Sequence, residues 1–338
     1  MSFYRPLVLC AVALTFIVIV AGAYVRLEDA GLGCPDWPGC YGQLIGVPDE
    51  AHEVARAEQT FPGRTVDTGR AWKEMFHRYL AGTLGLLILA VATIAWLKRG
   101  EIGRPPWLAT LLVAVVAFQA TLGMWTVTML LKPAIVTMHL LGGMATLALL
   151  LWLALLEINP RSAPAPVARA LRPWAAAGLA VVVAQIALGG WVSANYAALA
   201  CPDFPACNGQ WLPEMDFANA FHVLRELGVT AAGAPLTQEA LHAIHWSHRL
   251  GALATLLVVG IVAVLALRAP ALRAHGAAIA VLLVVQAVLG IANVLLRLPL
   301  ALAAAHNAGA ALLLAALVVI NFTVFSSANR QDRQYLHD

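Results

Sequence analysis

The chain has 338 residues, 61% of them hydrophobic and only 12% charged, with a formal net charge of +3. A soluble domain carries about a quarter charged residues, so half that share excludes an ordinary water-soluble globule. The small net charge gives no sign of a nucleic-acid partner. No nucleotide-binding glycine loop, zinc-finger spacing or hydrolase nucleophile motif is present.

In chain order, apolar runs fall at 7–25, 74–97, 107–130, 134–156, 174–195, 242–267, 276–296 and 300–325. Each is long enough to cross roughly 30 Å of hydrocarbon as a helix. The first ends in Ala21-Gly22-Ala23, which resembles a signal-peptide cleavage site. The run is longer than a signal core, however, and the fifth run ends in a matching stretch, so it is read as a span. Basic residues, among them Arg5, Lys98, Arg99, Arg104, Arg161, Arg268 and Arg330, gather in the termini and in the connections after spans two, four and six. The short opposite connections carry only Lys132 and Arg297. The positive-inside rule then places both termini in the cytoplasm and the long loops 26–73 and 196–241 outside. With no Arg- and Ser-rich transit segment ahead of the first span, a bacterial cytoplasmic (inner) membrane is expected.

The second half repeats the first. Cys34-Pro35-Asp36-Trp37-Pro38-Gly39-Cys40 returns as Cys201-Pro202-Asp203-Phe204-Pro205-Ala206-Cys207, an offset of 167 residues. Gln119–Gly123 and Gln286–Gly290 share that offset, as do His139 and His306; His77-Arg78 and His248-Arg249 differ by 171. Four spans per unit is even, so both units enter from one side. The expected fold is an all-α membrane protein of eight helices, arranged as two parallel four-helix bundles related by a pseudo-twofold axis. The boundaries expected are 1–158 and 174–326 for the halves, 159–173 for a proline-rich cytoplasmic linker and 327–338 for a polar tail.

Four histidines, His77, His139, His248 and His306, fall within about two turns of the outer end of an even-numbered span. A membrane histidine often serves only as a hydrogen bond between helices. Four at duplicated positions favour metal ligation, and two facing imidazoles suit a six-coordinate haem iron. Copper, zinc and a single four-histidine site remain open on this reading. Gly142, Gly143, Gly251 and Gly309 stand one turn past a histidine, where they would clear a face for a macrocycle or allow close helix packing. Arg78 and Arg249 are candidate partners for haem propionates, or interfacial side chains reaching the headgroups.

Symmetry breaks at one informative place. Glu74 stands three residues before His77, whereas His245 stands three before His248. An ionisable group at that depth is costly and usually marks a site. Glu74 can exchange protons; His245 can bond to a propionate or to Arg249. Each outer cysteine pair encloses two prolines, which bend the backbone and bring the thiols together. A structural disulfide and a redox-active or ligating pair are both compatible with that spacing. Cys10, inside the first run, reads as packing.

These motifs resemble the haem A synthase family over nearly the whole chain: the Gly31–Pro38 loop, Glu74-x-x-His77-Arg78, the other three histidines and the duplicated eight spans. The resemblance implies an enzyme that oxidises the C8 methyl of haem O to a formyl group, giving haem A for terminal oxidases. It implies haem b held by His248 and His306, substrate haem between His77 and His139, and Glu74 beside the reacting methyl. It further implies disulfides Cys34–Cys40 and Cys201–Cys207. Haem O, the lipid bilayer, haem O synthase and an electron donor are the partners expected, and a homo-oligomer is compatible with the sequence. Leu27-Glu28-Asp29-Ala30 departs from the family in its acidity, which bears on how haem or a partner approaches. The competing reading is a quinol-linked diheme b-type electron-transfer protein that leaves its haem unmodified.

Overall fold

The computed structural model describes residues 3–102, 106–160 and 162–334. Arg104 and Arg161 of the charge argument lie outside the described residues, as do positions 335–338 of the tail. Eight long apolar helices are present among the described residues, and no strand. They are α1 (Tyr4–Leu27), α2 (Thr68–Leu97), α3 (Trp107–Thr128), α4 (Pro133–Ile158), α5 (Ala165–Ala194), α6 (Gln238–Arg268), α7 (Arg273–Leu295) and α8 (Leu300–Gln334). Each of the eight has the length and apolarity to cross a bilayer, making this a multi-pass membrane protein.

Two helices begin well before their apolar runs. α2 starts in a polar turn capped by Asp67, whose carboxylate accepts from Arg70 N at 3.0 Å. α6 starts likewise, with Thr237 accepting from Ala240 N at 3.3 Å. Such caps stabilise a helix start by about 1 kcal/mol, and they let α2 and α6 stand above the hydrocarbon on the cysteine-loop side. α5 also starts early, at Ala165, so the expected 159–173 linker shrinks to its first residues. Proline in a first helical turn removes a donor that has no partner there anyway, and Pro173 does not end the helix.

In the first half α1 packs on α2 and α4, and α3 on α2 and α4; in the second, α5 packs on α6 and α8, and α7 on α6 and α8. The halves meet through α4 on α5, α1 on α8, and α4 on α8. Gly190 lies at that seam: a Cβ there would sit 3.0 Å from Leu140 Cδ2 and 3.3 Å from Thr137 Cγ2. Small residues of this kind let membrane helices approach closely, where dispersion rather than water expulsion drives packing. Tyr4, Ile88, Leu112 and Leu150 fill the first half, while Leu171, Val259, Ile279 and Leu317 fill the second together with Met144 and Leu147 of α4.

The backbone repeats as well as the sequence. Left-handed φ values occur at Asp29 and Tyr196 beyond α1 and α5, and at Tyr41 and Asn208 in the cysteine loops. They recur at Leu130 and Leu131 between α3 and α4, and at Arg297 and Leu298 between α7 and α8. Cis peptide bonds precede Pro38 and Pro205. Non-glycine residues avoid this region at roughly 1–2 kcal/mol each, so matched occurrences mean matched local folds.

Candidate functional site

Each of the four histidines lies over a glycine of a neighbouring helix. A Cβ on Gly22 of α1 would stand 2.8 Å from Cε1 of His77 on α2. The corresponding values are 3.2 Å for Gly123 on α3 under His139 on α4, and 3.1 Å for Gly189 on α5 under His248 on α6. Gly290 on α7 under His306 on α8 completes the set at 3.2 Å. A flat ring needs this absence of side chain to lie between two helices. The glycines belong to the repeated motifs, but only the pairing of helices reveals what they do. His77 lies within electrostatic reach of His139, and His248 of His306. Among the described residues no three metal-ligating side chains converge. The Nδ1 atoms of His77, His139 and His306 are enclosed without a hydrogen-bond partner.

The glycines one turn past the histidines have a different role from the one expected. A Cβ on Gly142, Gly251 or Gly309 would overlap the amide oxygen of Gln119, Gln185 or Gln286, respectively. The free faces are therefore taken by glutamine side chains from the adjoining helices. Gln119 Nε2 donates to His139 O at 2.5 Å, and Gln185 Nε2 donates to His248 O at 3.1 Å and lies 3.1 Å from His248 Nδ1. Sequence reasoning noted Gln119 and Gln286 only as repeat markers and missed Gln185. Its counterpart position in the first half holds Val18, and that of Gly251 holds Leu80.

Above the histidines sit two loops closed by disulfides, Cys34–Cys40 and Cys201–Cys207, with Cα atoms 4.8 and 4.5 Å apart. Cys40 and Cys207 bridge to Gln43 and Gln210 around tight turns. Asp36 accepts from Tyr41 N at 2.6 Å and Gly42 N at 2.8 Å; Asp203 accepts from Asn208 N at 2.6 Å and Gly209 N at 2.7 Å. The Gly209 amide, first among its partners, holds the Asp203 carboxyl below the usual carboxylate range. Cys10, by contrast with its expected packing role, is exposed on α1.

Arg78 and Arg249 clamp these loops to the helices. Arg78 donates to Asp36 O at 2.9 Å and to Gly39 O. Arg249 donates to Cys201 O at 2.9 Å and to Asp203 O and Ala206 O at 2.7 Å. Both guanidinium forks are thus engaged with loop carbonyls. Glu74, only 4% exposed, accepts from Cys34 N at 2.9 Å and pairs with Arg78 Nη2 at 2.5 Å. His245, equally buried, accepts from Cys201 N at 3.4 Å through Nδ1, rather than from Arg249. The two residues fill one structural position with different chemistry: a carboxylate charge in one half and an imidazole in the other.

The acidic stretch after α1 is neutralised internally. Glu28 pairs with Lys73. Asp29 accepts from Tyr196 OH at 2.9 Å, and Arg26 stacks 4.1 Å over the Tyr196 ring while donating to Ser193 O at 2.7 Å. Arg26 and Asp29 thus tie the halves together, while the Glu28–Lys73 pair lies within the first.

Fold and site together define a polytopic helical membrane protein that holds two pairs of glycine-backed imidazoles beneath two clamped, disulfide-closed loops. The family model described as a cytochrome oxidase assembly protein, COX15-CtaA, matches residues 5–318. Among similar curated proteins, one from Shewanella oneidensis named haem A synthase is 43% identical over 94% of this chain and 96% of its own length. Proteins of the same name from Rhizorhabdus wittichii and Caulobacter vibrioides are 31% and 30% identical. They cover 92% and 90% of this chain, and 90% of each relative is matched. The chain belongs to the COX15-CtaA family of cytochrome oxidase assembly proteins.

Proposed function

We propose that the chain is a haem A synthase, a membrane oxidoreductase that oxidises the C8 methyl of haem O to a formyl group and so supplies haem A to terminal oxidases. The observation that carries this reading is the pair of glycine-backed histidine pairs, unequal at Glu74 and His245, in a chain of this family. The electron-transfer alternative gains no support, since the matched relatives are named as synthases.

The donor set fits haem iron. Each site offers two imidazoles, and each ring lies over a neighbouring-helix glycine that leaves room beside it. Haem b is assigned to His248 and His306 in the half spanning 174–326. Substrate haem is assigned to His77 and His139 in the half spanning 1–158, with the halves related by a pseudo-twofold axis. Bound iron supplies the redox chemistry. The chain's own residues hold and orient the macrocycle, and the clamped loops shield its outer edge from water. Glu74 is the group placed to exchange protons as the methyl is oxidised. It delivers them where dioxygen and carrier electrons do the oxidation, and takes them where water supplies the formyl oxygen. Its pairing with Arg78 and Cys34 N fixes the carboxylate above His77. General acid–base help of this kind contributes about 10² to 10⁴ in rate. Arg78 and Arg249, named as propionate partners on sequence grounds, would reach a propionate only alongside the carbonyls they already hold.

The reading places the protein in the bacterial cytoplasmic membrane with both termini in the cytoplasm. It takes haem O from haem O synthase and electrons through a separate carrier, and a homo-oligomer is compatible with it. Purification after co-expression with haem O synthase, followed by pigment extraction, tests it. Haem B together with haem A is expected. Haem B alone would replace the synthase with a diheme electron carrier.

A further inference from the structure

Past each disulfide turn, the chain exposes an apolar dipeptide at matched positions: Leu44-Ile45 in the first loop and Trp211-Leu212 in the second. Leu44 and Ile45 are 73% and 84% exposed, and Trp211 and Leu212 are 76% and 69% exposed. Side chains this apolar are rarely left bare on a water-facing loop, and a repeat of the pattern makes chance a poor explanation.

Their depth argues for one occupant. The loops do not stand away from the bundle. Gly46 N, next to Ile45, donates to Tyr79 OH at 2.7 Å, and Trp246 Nε1 donates to Trp211 O at 3.3 Å. Tyr79 and Trp246 lie in the outer turns of α2 and α6, close to His77 and His248. Arg78 and Arg249 pull the same loops down onto the same turns. Phe76, one turn from Tyr79 on α2, is 59% exposed on a helix that crosses the bilayer. Tyr, Trp and Arg at this level are the residues of the membrane–water interface. The dipeptides thus end at the headgroup and upper acyl region of the outer leaflet.

We propose that Leu44-Ile45 and Trp211-Leu212 are two apolar fingers inserted into that leaflet, lipid acyl chains being their ligand. Each finger anchors its loop from the lipid side while the arginine clamp anchors it from the protein side, so the cover over each histidine pair is held at two points. A docking protein is the competing occupant. The two fingers differ in shape, as lipid tolerates, yet both are apolar and at one depth, as lipid requires.

The test uses full-length protein in vesicles of phosphatidylethanolamine and phosphatidylglycerol. In a Cys10→Ala background, nitroxide labels are placed at Ile45→Cys and Leu212→Cys. Collision with oxygen is expected to exceed collision with a water-soluble nickel chelate severalfold at both sites. The reverse ratio would overturn the proposal in favour of a solvated loop. Low accessibility to both reagents would overturn it in favour of a protein contact. A second measurement avoids new thiols: the fluorescence lost in Trp211→Phe should be the part that lipids brominated near the headgroup quench and aqueous iodide does not. Quenching by iodide alone would refute insertion.

Discussion

Glu74 accepts the amide hydrogen of Cys34 at 2.9 Å, joining the first turns of α2 to a loop forty residues earlier in the chain. His245 makes the equivalent bond to Cys201 at 3.4 Å. One position thus carries a shared structural duty in both halves, and a charge in only one. Glu74→Gln keeps an acceptor for Cys34 and loses the titrating proton. Haem A output should fall by about 10² or more, with haem O accumulating and both disulfides still formed by mass spectrometry. His245→Gln should be mild. Normal haem A output from Glu74→Gln beside an inactive His245→Gln would put the chemistry in the other half.

The glycines beneath the rings give a prediction that tests ligation without touching a ligand. A valine at Gly290 adds methyls beyond a Cβ already 3.2 Å from His306 Cε1. The ring must move, at about 1–3 kcal/mol in packing alone. Gly290→Val should therefore strip the resident haem from the purified protein, and Gly123→Val should spare it while lowering turnover. Gly260→Ala, where nothing lies within 4 Å, is the neutral control. An unchanged visible spectrum in Gly290→Val would show that His306 does not hold a haem.

Direct removal of ligands should separate the pairs. His248→Ala or His306→Ala is expected to lose haem b and destabilise the second half, as deletion of an iron ligand removes binding energy that the fold uses. His77→Ala or His139→Ala should retain that haem and abolish conversion of haem O. Identical absorption spectra in all four variants would contradict two separate sites.

The cysteine loop of the second half offers a pH prediction. Asp203 is held below its ordinary range by the Gly209 amide, so its folded pKa lies under its unfolded one. Its contribution is then complete above the unfolded value of about 3.9 and is lost as pH falls through the folded value. Amide protection in 201–212, taken relative to the intrinsic exchange rate at each pH, should be steady from neutral to mildly acidic pH and fall steeply only below that range. Asp203→Asn should exchange faster at neutral pH and show little of the acid step. An acid step of equal size in Asp203→Asn would assign it to another group.

The apolar runs were legible because a bilayer demands about twenty apolar residues from any spanning helix, whatever its neighbours. His77, His139, His248 and His306 were legible because duplication marks them. What was hidden depends on which helices touch. Gly22 and Gly189 stood in view as the ends of two runs, but nothing in the run says that His77 and His248 lie on them. The polar starts of α2 and α6 were missed because caps at Asp67 and Thr237, not hydropathy, set them. Arg78 and Arg249 also hold loop carbonyls, and Arg78 the Glu74 carboxylate; backbone carbonyls as partners leave no trace in the sequence. Glu28 and Asp29 looked like free acidity for the same reason: Lys73 and Tyr196 are far away in the chain.

Gln185 marks a second difference between the halves, independent of Glu74. Its amide donates to the carbonyl of His248 and lies 3.1 Å from the Nδ1 atom of that ring, while Val18 occupies the counterpart position near His77. A site that keeps its haem through every turnover benefits from a ring held in one orientation; a site that must exchange substrate for product does not. Gln185→Leu preserves most of the volume and deletes the donor. One neutral hydrogen bond is worth about 1 kcal/mol, so haem b should dissociate roughly five- to tenfold more readily when the variant is titrated with apo-myoglobin as acceptor. Gln119→Leu, which frees the carbonyl of His139 instead, should leave that dissociation unchanged and raise the KM for haem O. Loss of resident haem from Gln119→Leu, with Gln185→Leu behaving as wild type, would exchange the roles of the two histidine pairs.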